Sequence, residues 1–490
     1  MIFSSALYFF FFTAVFFIHW AILPLLVPEK YLRSARHAAL LVASYVFFAS
    51  YEWIFSFLLF FFTITAYGSA FFLTPGGLKD RYRNWLLLVV ICILVGLLCY
   101  YKYYNFFLGN LLEVLGFVGI KPDWFMHTIG LPLGISFFTF QALSYVIDVW
   151  RGKTAVETSF MRFGLFKSFF PQLVAGPIVT ARDFIPQLYS DTDLTVERLR
   201  NGARWFALGY FKKAVIADNI GPAVSAMLGD KGQFGTQGSW LGAFGFVTQM
   251  YGDFSGYSDM AWGSAIWLGF HLPENFRMPH IARSISEHWR RWHMSLGRWI
   301  RDYLYISLGG NRVSWFRHKI NLVIAMLVSG FWHGANWTFV VWGLIFGVWL
   351  AAETIFQEWY DKRPKLPDGP VMRVLRWPFE GLRWFYAMIC VTTIHVLFSS
   401  PTVSYAIFKM KLMYFYEAPK VPIPPMLYKP ILTYFAIMMA GEWLGYWIWE
   451  KGKFQIKVPL WLEFAIYPFL ALLLIQLAAP DGGAFIYFVF

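Results

Sequence analysis

The stretch 85–100 reads WLLLVVICILVGLLCY and carries no charged residue. It opens an apolar run, 85–108, that is long enough to cross the hydrocarbon core of a bilayer, which takes about 20 apolar residues in a helix. Inside lipid a helix satisfies all of its own backbone hydrogen bonds, which an irregular segment cannot do. The run therefore predicts a transmembrane helix.

Similar apolar runs recur on both sides of this one along all 490 residues. Apolar residues make up 58% of the chain and charged residues 14%, whereas a soluble domain carries roughly 25% charged residues. The sequence thus predicts an all-α polytopic membrane protein with about 11–12 transmembrane helices and additional re-entrant and interfacial helices. The candidate spans lie near 5–27, 37–50, 53–73, 85–108, 128–150, 203–229, 239–270, 319–335, 336–357, 378–399, 429–450 and 459–478.

The net charge of +13 comes from basic residues in short segments between the apolar runs. This distribution follows the positive-inside rule and matches no nucleic-acid-binding module, so we expect no nucleic acid partner. Segments rich in Lys and Arg, such as 277–301, are predicted to face the cytoplasm, which places both termini outside. The first run, 2–27, lacks a basic start and a small-residue cleavage site, which indicates a retained span.

Two segments do not fit simple spans. The stretch 160–188 is broken by Pro and Gly, and we expect it to line a cavity, where non-helical backbone is tolerated. The second segment, 283–305, is predicted to be one amphipathic helix in the cytoplasmic interface, with arginines opposite an apolar stripe. The residues of the stripe recur at helical spacing: Ile285, Trp289, Trp292, Leu296, Trp299 and Tyr303.

His333 is the first candidate for chemistry. Counted from the basic residues 317–319 at about 1.5 Å per residue, it lies roughly 21–24 Å along a helix, still inside the hydrocarbon. An ionisable group at that depth usually faces a cavity or a partner. Gly330 and Gly334 on either side allow another backbone to approach closely. The alternative interpretation is a histidine that is hydrogen-bonded to a neighbouring helix.

His293 is the second candidate, at the edge of the predicted aromatic stripe, although an interfacial histidine is commonly just solvated. His280 and His288 are predicted to be solvated or at the membrane interface. His395 lies inside an apolar run, and a hydrogen-bonded packing role is the favoured interpretation.

Asp253 and Asp259 place two carboxylates inside an apolar run. Neither can stay charged against lipid, so each must pair, face water or be protonated. We expect partners from the basic cluster 277–301. The sequence has no Cys/His spacing for a metal, no phosphate-binding glycine loop and no nucleophilic-serine elbow.

Four segments resemble the membrane-bound O-acyltransferase family, in the bacterial branch that includes alginate O-acetyltransferase. They are 131–140 (LPLGISFFTF), 254–261 (FSGYSDMA), 289–293 (WRRWH) followed by 301–305 (RDYLY), and 332–336 (WHGAN). The third and fourth segments are specific when found together. The end, 485–490 (FIYFVF), is also similar, although its fifth position is more often polar in that branch.

The resemblance implies acyl transfer carried by His333, with His293 as a second important histidine, inside a ring of helices around a central funnel. It also implies one acyltransferase domain over 1–490, with N-terminal helices 1–125, a catalytic core 126–400 and C-terminal helices 401–490. Supporting or funnel-lining roles fall to Trp332, Asn336, Arg290, Arg291, Trp292, Asp253, Ser255 and Asp259. Among these, an N–H of Trp332 or Asn336 would suit an oxyanion, and the arginines would suit phosphate groups.

The implied donor substrate is acetyl-CoA or another acyl thioester, and no bound cofactor is expected. The implied surroundings are the lipid of the bacterial cytoplasmic membrane, an extracytoplasmic SGNH-type transferase that accepts the acetyl group, and a polysaccharide synthesis complex. Relatives in this branch acetylate alginate, cellulose or peptidoglycan.

Three alternatives stay open at the level of sequence. A cousin in the family moves D-alanine onto teichoic acid. A proton-coupled transporter or flippase would use His333 and Asp253 as relay groups, but we find no repeat symmetry of the kind that transporters show. A non-catalytic scaffold would tolerate substitutions at His293 and His333.

Overall fold

The computed structural model describes residues 1–120, 129–174, 176–363, 370–452, 459–480, 483, 485 and 486, and within them it contains helices and no strand. In this part of the chain six helices are long and apolar enough to cross a membrane: Ala6–Leu26, Phe55–Leu73, Asp80–Phe117, Trp337–Asp361, Trp377–Ser399 and Pro425–Glu450. The predicted all-α polytopic fold is confirmed. Ala175 of the stretch 160–188 and residues 487–490 of the C-terminal motif lie outside the described residues.

The other predicted spans also coincide with helices. Two of them, 128–150 and 459–478, contain the shorter apolar helices Ile135–Trp150 and Ile466–Leu477. The remaining four fall on helices whose apolar runs are interrupted by charged or polar residues: 37–50, 203–229, 239–270 and 319–335. Length and hydropathy alone therefore identify half of the predicted spans.

The chain divides into two compact units, residues 1–208 with 257–273 and residues 209–256 with 274–490. The first unit is built on α1 Ala6–Phe17, α2 Leu23–Leu26, α3 Glu29–Glu52, α4 Phe55–Leu73, α5 Asp80–Phe117, α6 Ile135–Trp150, α7 Phe160–Ser168, α8 Phe170–Leu173, α9 Ala181–Phe184 and α10 Val196–Tyr210.

The second unit is built on α11 Asp218–Gly229, α12 Gly235–Trp267, α13 Ile285–Arg291, α14 Met294–Trp299, α15 Trp315–His333, α16 Trp337–Asp361, α17 Pro370–Ser399, α18 Val403–Tyr414, α19 Pro425–Gly445 and α20 Leu460–Leu477. Helices α10 and α12 each contribute residues to both units. Single π or 3-10 segments adjoin several of these helices: Ile18–Ile22, Ile185–Tyr189, Phe211–Ala217, Pro279–Ile281, Ile300–Tyr305 and Tyr446–Glu450.

The stretch 160–188 is broken in the first unit, as predicted. Ser159 caps α7 by accepting a hydrogen bond from the backbone N–H of Arg162, and the helix gives way at Phe169 to the four residues of α8. The Lys167 ammonium is buried and donates to the carbonyl of Phe138 at 2.6 Å. That this stretch lines a cavity stays a prediction.

The segment 283–305 is not the single helix that its spacing predicts. Helix α13 ends at Arg291, and α14 begins at Met294 after a turn in which His293 has a φ of +43°, in the left-handed region. The stripe residues Ile285, Trp292 and Leu296 are buried in the protein rather than facing lipid. The prediction was wrong because helical spacing does not reveal whether an apolar face meets lipid or protein.

Helices α15 and α16 pack backbone against backbone. A Cβ atom added at Gly330 would lie 2.3 Å from the carbonyl oxygen of Phe339, and one added at Gly343 would lie 2.5 Å from that of Met326. At Gly334 the near group is a side chain, because a Cβ there would lie 2.1 Å from the Phe339 ring. The close backbone approach predicted around His333 is confirmed at Gly330.

We expect Gly330→Val to lower the free energy of unfolding by about 1–3 kcal/mol, because the added side chain would overpack a contact between two backbones. The thermal unfolding temperature of the purified protein in detergent measures the effect. Gly96→Val in α5 is the matched control, because a Cβ at Gly96 meets no atom within 4 Å. Equal unfolding temperatures for the two variants would contradict the packing argument.

Candidate active site

The two histidines singled out in the sequence lie side by side in the second unit. The ring centroids of His293 and His333 are 6.4 Å apart, and the ring planes are nearly perpendicular. Both side chains are buried. His333 is the last residue of α15, and His293 precedes α14. Residues 40 positions apart in the chain thus place two imidazoles in one buried location.

Aromatic rings surround the His333 imidazole. The ring centroids of Trp332, Trp342 and Phe398 lie 5.1, 5.2 and 5.2 Å from its own. Trp342 was not predicted, since a tryptophan in an apolar helix resembles any packing residue. Its indole N–H is buried and has no hydrogen-bond partner among the described residues. An unsatisfied buried donor costs about 1–3 kcal/mol, so a group that arrives beside His333 would gain by accepting from it.

The protonation of His293 follows from its contacts. Its Nδ1 accepts a hydrogen bond from the backbone N–H of Leu296 at 3.3 Å, so Nδ1 carries no proton. Burial lowers the pKa of His293 to about 3, which keeps the ring neutral at physiological pH. The proton of the neutral ring must then sit on Nε2, which has no protein partner in the described part of the chain. His293 is therefore a hydrogen-bond donor.

Asn336 has a structural role at the start of α16. Its side-chain oxygen accepts from the backbone N–H of Thr338 at 3.0 Å, and its Nδ2 donates to the carbonyl of Pro401 at 3.1 Å. Both ends of the amide are engaged, as in a typical N-cap. Asn336 therefore holds the chain that follows His333.

The predicted phosphate-binding arginines differ in their contacts. Arg291 pairs with Glu287 and, at 2.8 Å, with Glu450, so its charge is already compensated. Arg290 is exposed, and its Nη1 donates to the hydroxyl of Ser286 at 3.4 Å. Within the described residues Arg290 has no carboxylate partner. An anionic donor would find Arg290 the more available of these two cations.

The prediction that Asp253 pairs with the basic cluster 277–301 was wrong. Its carboxylate pairs at 2.6 Å with Lys213, which lies outside the basic cluster 277–301. Ser255 is fully buried, and its hydroxyl has no partner among the described residues. Asp259 is buried in the first unit. The sequence indicated that Asp253 must pair, face water or be protonated, but the segment itself carries no signal for the identity of a partner.

A second histidine cluster lies in the same unit and was missed. His280 and His288, predicted to be solvated or at the interface, are 3% and 2% exposed, and their rings lie 6.2 Å apart. His395 lies 6.4 Å from His288, and its Nδ1 contacts the carbonyl of Val391, as a packing histidine would. His288 stacks on the buried Trp292, next to His293. The cluster thus supports the turn that carries His293.

Glu442 anchors this cluster. Its carboxylate accepts from the His280 backbone N–H at 2.8 Å and contacts the His280 Nδ1 at 2.9 Å. Both side chains are almost fully buried. A lone carboxylate at this position would be costly, so the pairing compensates the burial of Glu442 and ties α19 to the segment that leads into α13.

We expect Glu442→Gln to lower stability by about 1.5–3 kcal/mol, because it weakens two hydrogen bonds to a charged acceptor away from water. Thermal unfolding of the detergent-solubilised protein checks this. Glu450→Gln, which loses a partly exposed ion pair, should cost about 1 kcal/mol or less. A larger loss of stability in Glu450→Gln than in Glu442→Gln would contradict the anchoring role of Glu442.

The fold and the buried histidine pair define a multi-pass membrane protein with a candidate site for group transfer. The model of the membrane-bound O-acyltransferase (MBOAT) family matches residues 92–400, and the chain belongs to that family. It is an acyltransferase of the alginate O-acetyltransferase-like branch. The transporter and scaffold interpretations give way to an enzyme.

Three relatives show the range of proteins to which this chain is similar. A probable alginate O-acetylase, AlgI, of Azotobacter vinelandii is 41% identical over 387 residues, 78% of this chain and 73% of the relative. A peptidoglycan O-acetyltransferase of Helicobacter pylori is 34% identical over 336 residues, 62% of each chain. A teichoic acid D-alanyltransferase of Streptococcus thermophilus is 31% identical over 326 residues, 62% of this chain and 75% of the relative.

Proposed function

We propose that this protein moves an acetyl group from a cytoplasmic thioester to an extracytoplasmic polysaccharide, across the bacterial cytoplasmic membrane, with His333 as general base. The observation that carries the proposal is the pair of buried imidazoles, His293 and His333, 6.4 Å apart among aromatic rings. Buried polar groups act more strongly on a reacting group than the same groups do in water.

In the proposed step, an acceptor hydroxyl oxygen attacks the thioester carbonyl carbon. His333 takes the hydroxyl proton, the new C–O bond forms, and the C–S bond breaks. The proton then passes from His333 to the departing thiolate, so that the products are an ester and a free thiol. General-base assistance of this kind contributes roughly 10²–10⁴-fold to the rate.

His293 has a separate role in this proposal. Because its Nδ1 accepts from Leu296, its Nε2–H is the group available to a substrate. We assign it to the carbonyl oxygen of the thioester, where negative charge develops. The indole N–H of Trp342, which has no partner among the described residues, is a second donor on the His333 side. Preorganised donors of this kind are worth about 10²–10³-fold each.

The donor is assigned as acetyl-CoA, with its phosphates near the exposed Arg290. The names of the relatives support O-acetylation of an alginate- or peptidoglycan-type polymer. We further propose an extracytoplasmic SGNH-type protein as the partner that completes delivery. D-alanyl transfer from a carrier-protein thioester is the second candidate, which the D-alanyltransferase relative supports. Purified membranes supplied with labelled acetyl-CoA or with labelled D-alanyl carrier protein distinguish the two donors.

We expect His333→Ala to lower polymer acetylation by about 10²–10⁴-fold, because the transfer loses its general base. Acetyl content is measured in cells that produce the variant at wild-type level. His318→Ala is the control, since that residue lies at the other end of α15. Undiminished acetylation in the His333 variant would end the proposal.

We expect His293→Ala to lower turnover by about 10²–10³-fold, because it removes a hydrogen-bond donor. His293→Asn should lose less, since Asn offers a side-chain N–H and tolerates the left-handed backbone at this position. Turnover of labelled thioester by both variants provides the comparison. Equal losses for Asn and Ala would exclude a donor role.

A further inference from the structure

Three charged side chains form a buried cluster around Lys213, which we call the Lys213 triad. The Lys213 Nζ lies 2.6 Å from Asp218 Oδ1 and 2.6 Å from Asp253 Oδ1. All three side chains are at least 95% buried. One lysine beside two carboxylates is costly to remove from water, and such ion pairs often stabilise a protein no more than apolar side chains would. Stability alone therefore does not account for this cluster.

The triad contacts Gly483 and Ile486, which together with Phe485 we call the tail. Lys213 Nζ donates its remaining hydrogen bond to the carbonyl of Gly483 at 2.9 Å. The backbone N–H of Ile486 donates to Asp253 Oδ2 at 2.6 Å. Gly483 also lies so close to Asp218 that an added Cβ would be 2.8 Å from its Oδ1. All three members of the triad thus contact the tail.

The anchored tail reaches the candidate site through two phenylalanines. Phe485 is fully buried, and its ring centroid lies 5.7 Å from that of Phe254. The Phe254 ring lies 4.7 Å from the His293 imidazole. Phe254 follows Asp253 directly, so the residue that binds the tail and the residue that packs on His293 are neighbours on α12.

We propose that Gly483, Phe485 and Ile486 form one wall of the candidate site, and that Lys213, Asp218 and Asp253 are positioning residues that hold this wall against Phe254 and His293. The proposal rests on the proposed function for its effect on turnover. The anchoring itself is a separate physical claim. A role as a wall gives a reason for the long-range contacts of the triad. Its hydrogen bonds are completed by the carbonyl of Gly483 and the N–H of Ile486, more than 200 residues away in the chain.

Ile486→Pro tests the anchor without changing the triad, because it removes the N–H that donates to Asp253. Ile486→Ala keeps that N–H and is the matched variant. Hydrogen–deuterium exchange by mass spectrometry follows the peptide that contains Gly483 and Ile486 in the full-length protein in detergent. We expect the peptide to exchange faster in Ile486→Pro than in Ile486→Ala. Equal exchange in the two variants would overturn the anchor.

Turnover tests the positioning role. In Ile486→Pro, we expect kcat to fall by about 10²-fold, the cost of a small misplacement in an active site, while KM for the thioester stays within about twofold. A changed KM with an unchanged kcat would overturn the positioning role. Lys213→Met should release the tail, and Lys213→Arg should restore protection by keeping the charge. If Lys213→Met is not produced in folded form, the comparison of Ile486→Pro with Ile486→Ala still tests the anchor.

The two proposals fail separately. Undiminished acetylation in His333→Ala, together with fast exchange in Ile486→Pro, would remove the proposed function and leave the anchor standing. Slow exchange in Ile486→Pro, together with loss of acetylation in His333→Ala, would remove the anchor and leave the proposed function standing.

Discussion

Contact between the backbones of α15 and α16 fixes the position of His333, and the candidate site is built against it. At Gly330 and Gly343 there is no space for any side chain between the two helices. Lipid tails are as apolar as the side chains, so helices in a membrane associate through close packing rather than through the hydrophobic effect. The contact brings Trp342 of α16 to 5.2 Å from the His333 ring. The position of the proposed general base therefore depends on two glycines, Gly330 and Gly343.

The features that the sequence predicts are those that a single helix determines. Run length and composition predict the all-α membrane fold, and the depth of His333 and the flanking glycines predict a buried histidine with a close helix neighbour. The turn at His293 has no such signal. Its left-handed backbone is held by Asn275, whose carbonyl accepts from the Met294 N–H at 2.9 Å, and Asn275 lies outside the segment 283–305. A regular spacing of Trp and Leu fits one helix and two short helices equally well.

Partners of buried charges were the second feature that spacing does not reveal. Pairing was the favoured outcome for Asp253, because a carboxylate cannot stay charged against lipid, and the structure confirms a pair. Its partners, however, are Lys213 on a π-helical turn and the backbone of Ile486, which is 233 residues away. His280 and Glu442 are separated by 162 residues. Each pair follows from the free-energy cost of burying a polar group, but the identity of the partner depends on how distant helices pack.

The left-handed turn at His293 also has a thermodynamic consequence. The imidazole is oriented by its own backbone, by the Leu296 N–H and by the Phe254 ring, rather than by a choice among solvent-exposed rotamers. A side chain that is already immobile loses little entropy when a ligand binds, so the free energy of the new hydrogen bond goes almost entirely into the complex. The entropy cost of ordering this ring falls on folding, so a substrate that accepted a hydrogen bond from His293 would meet a donor that is already ordered.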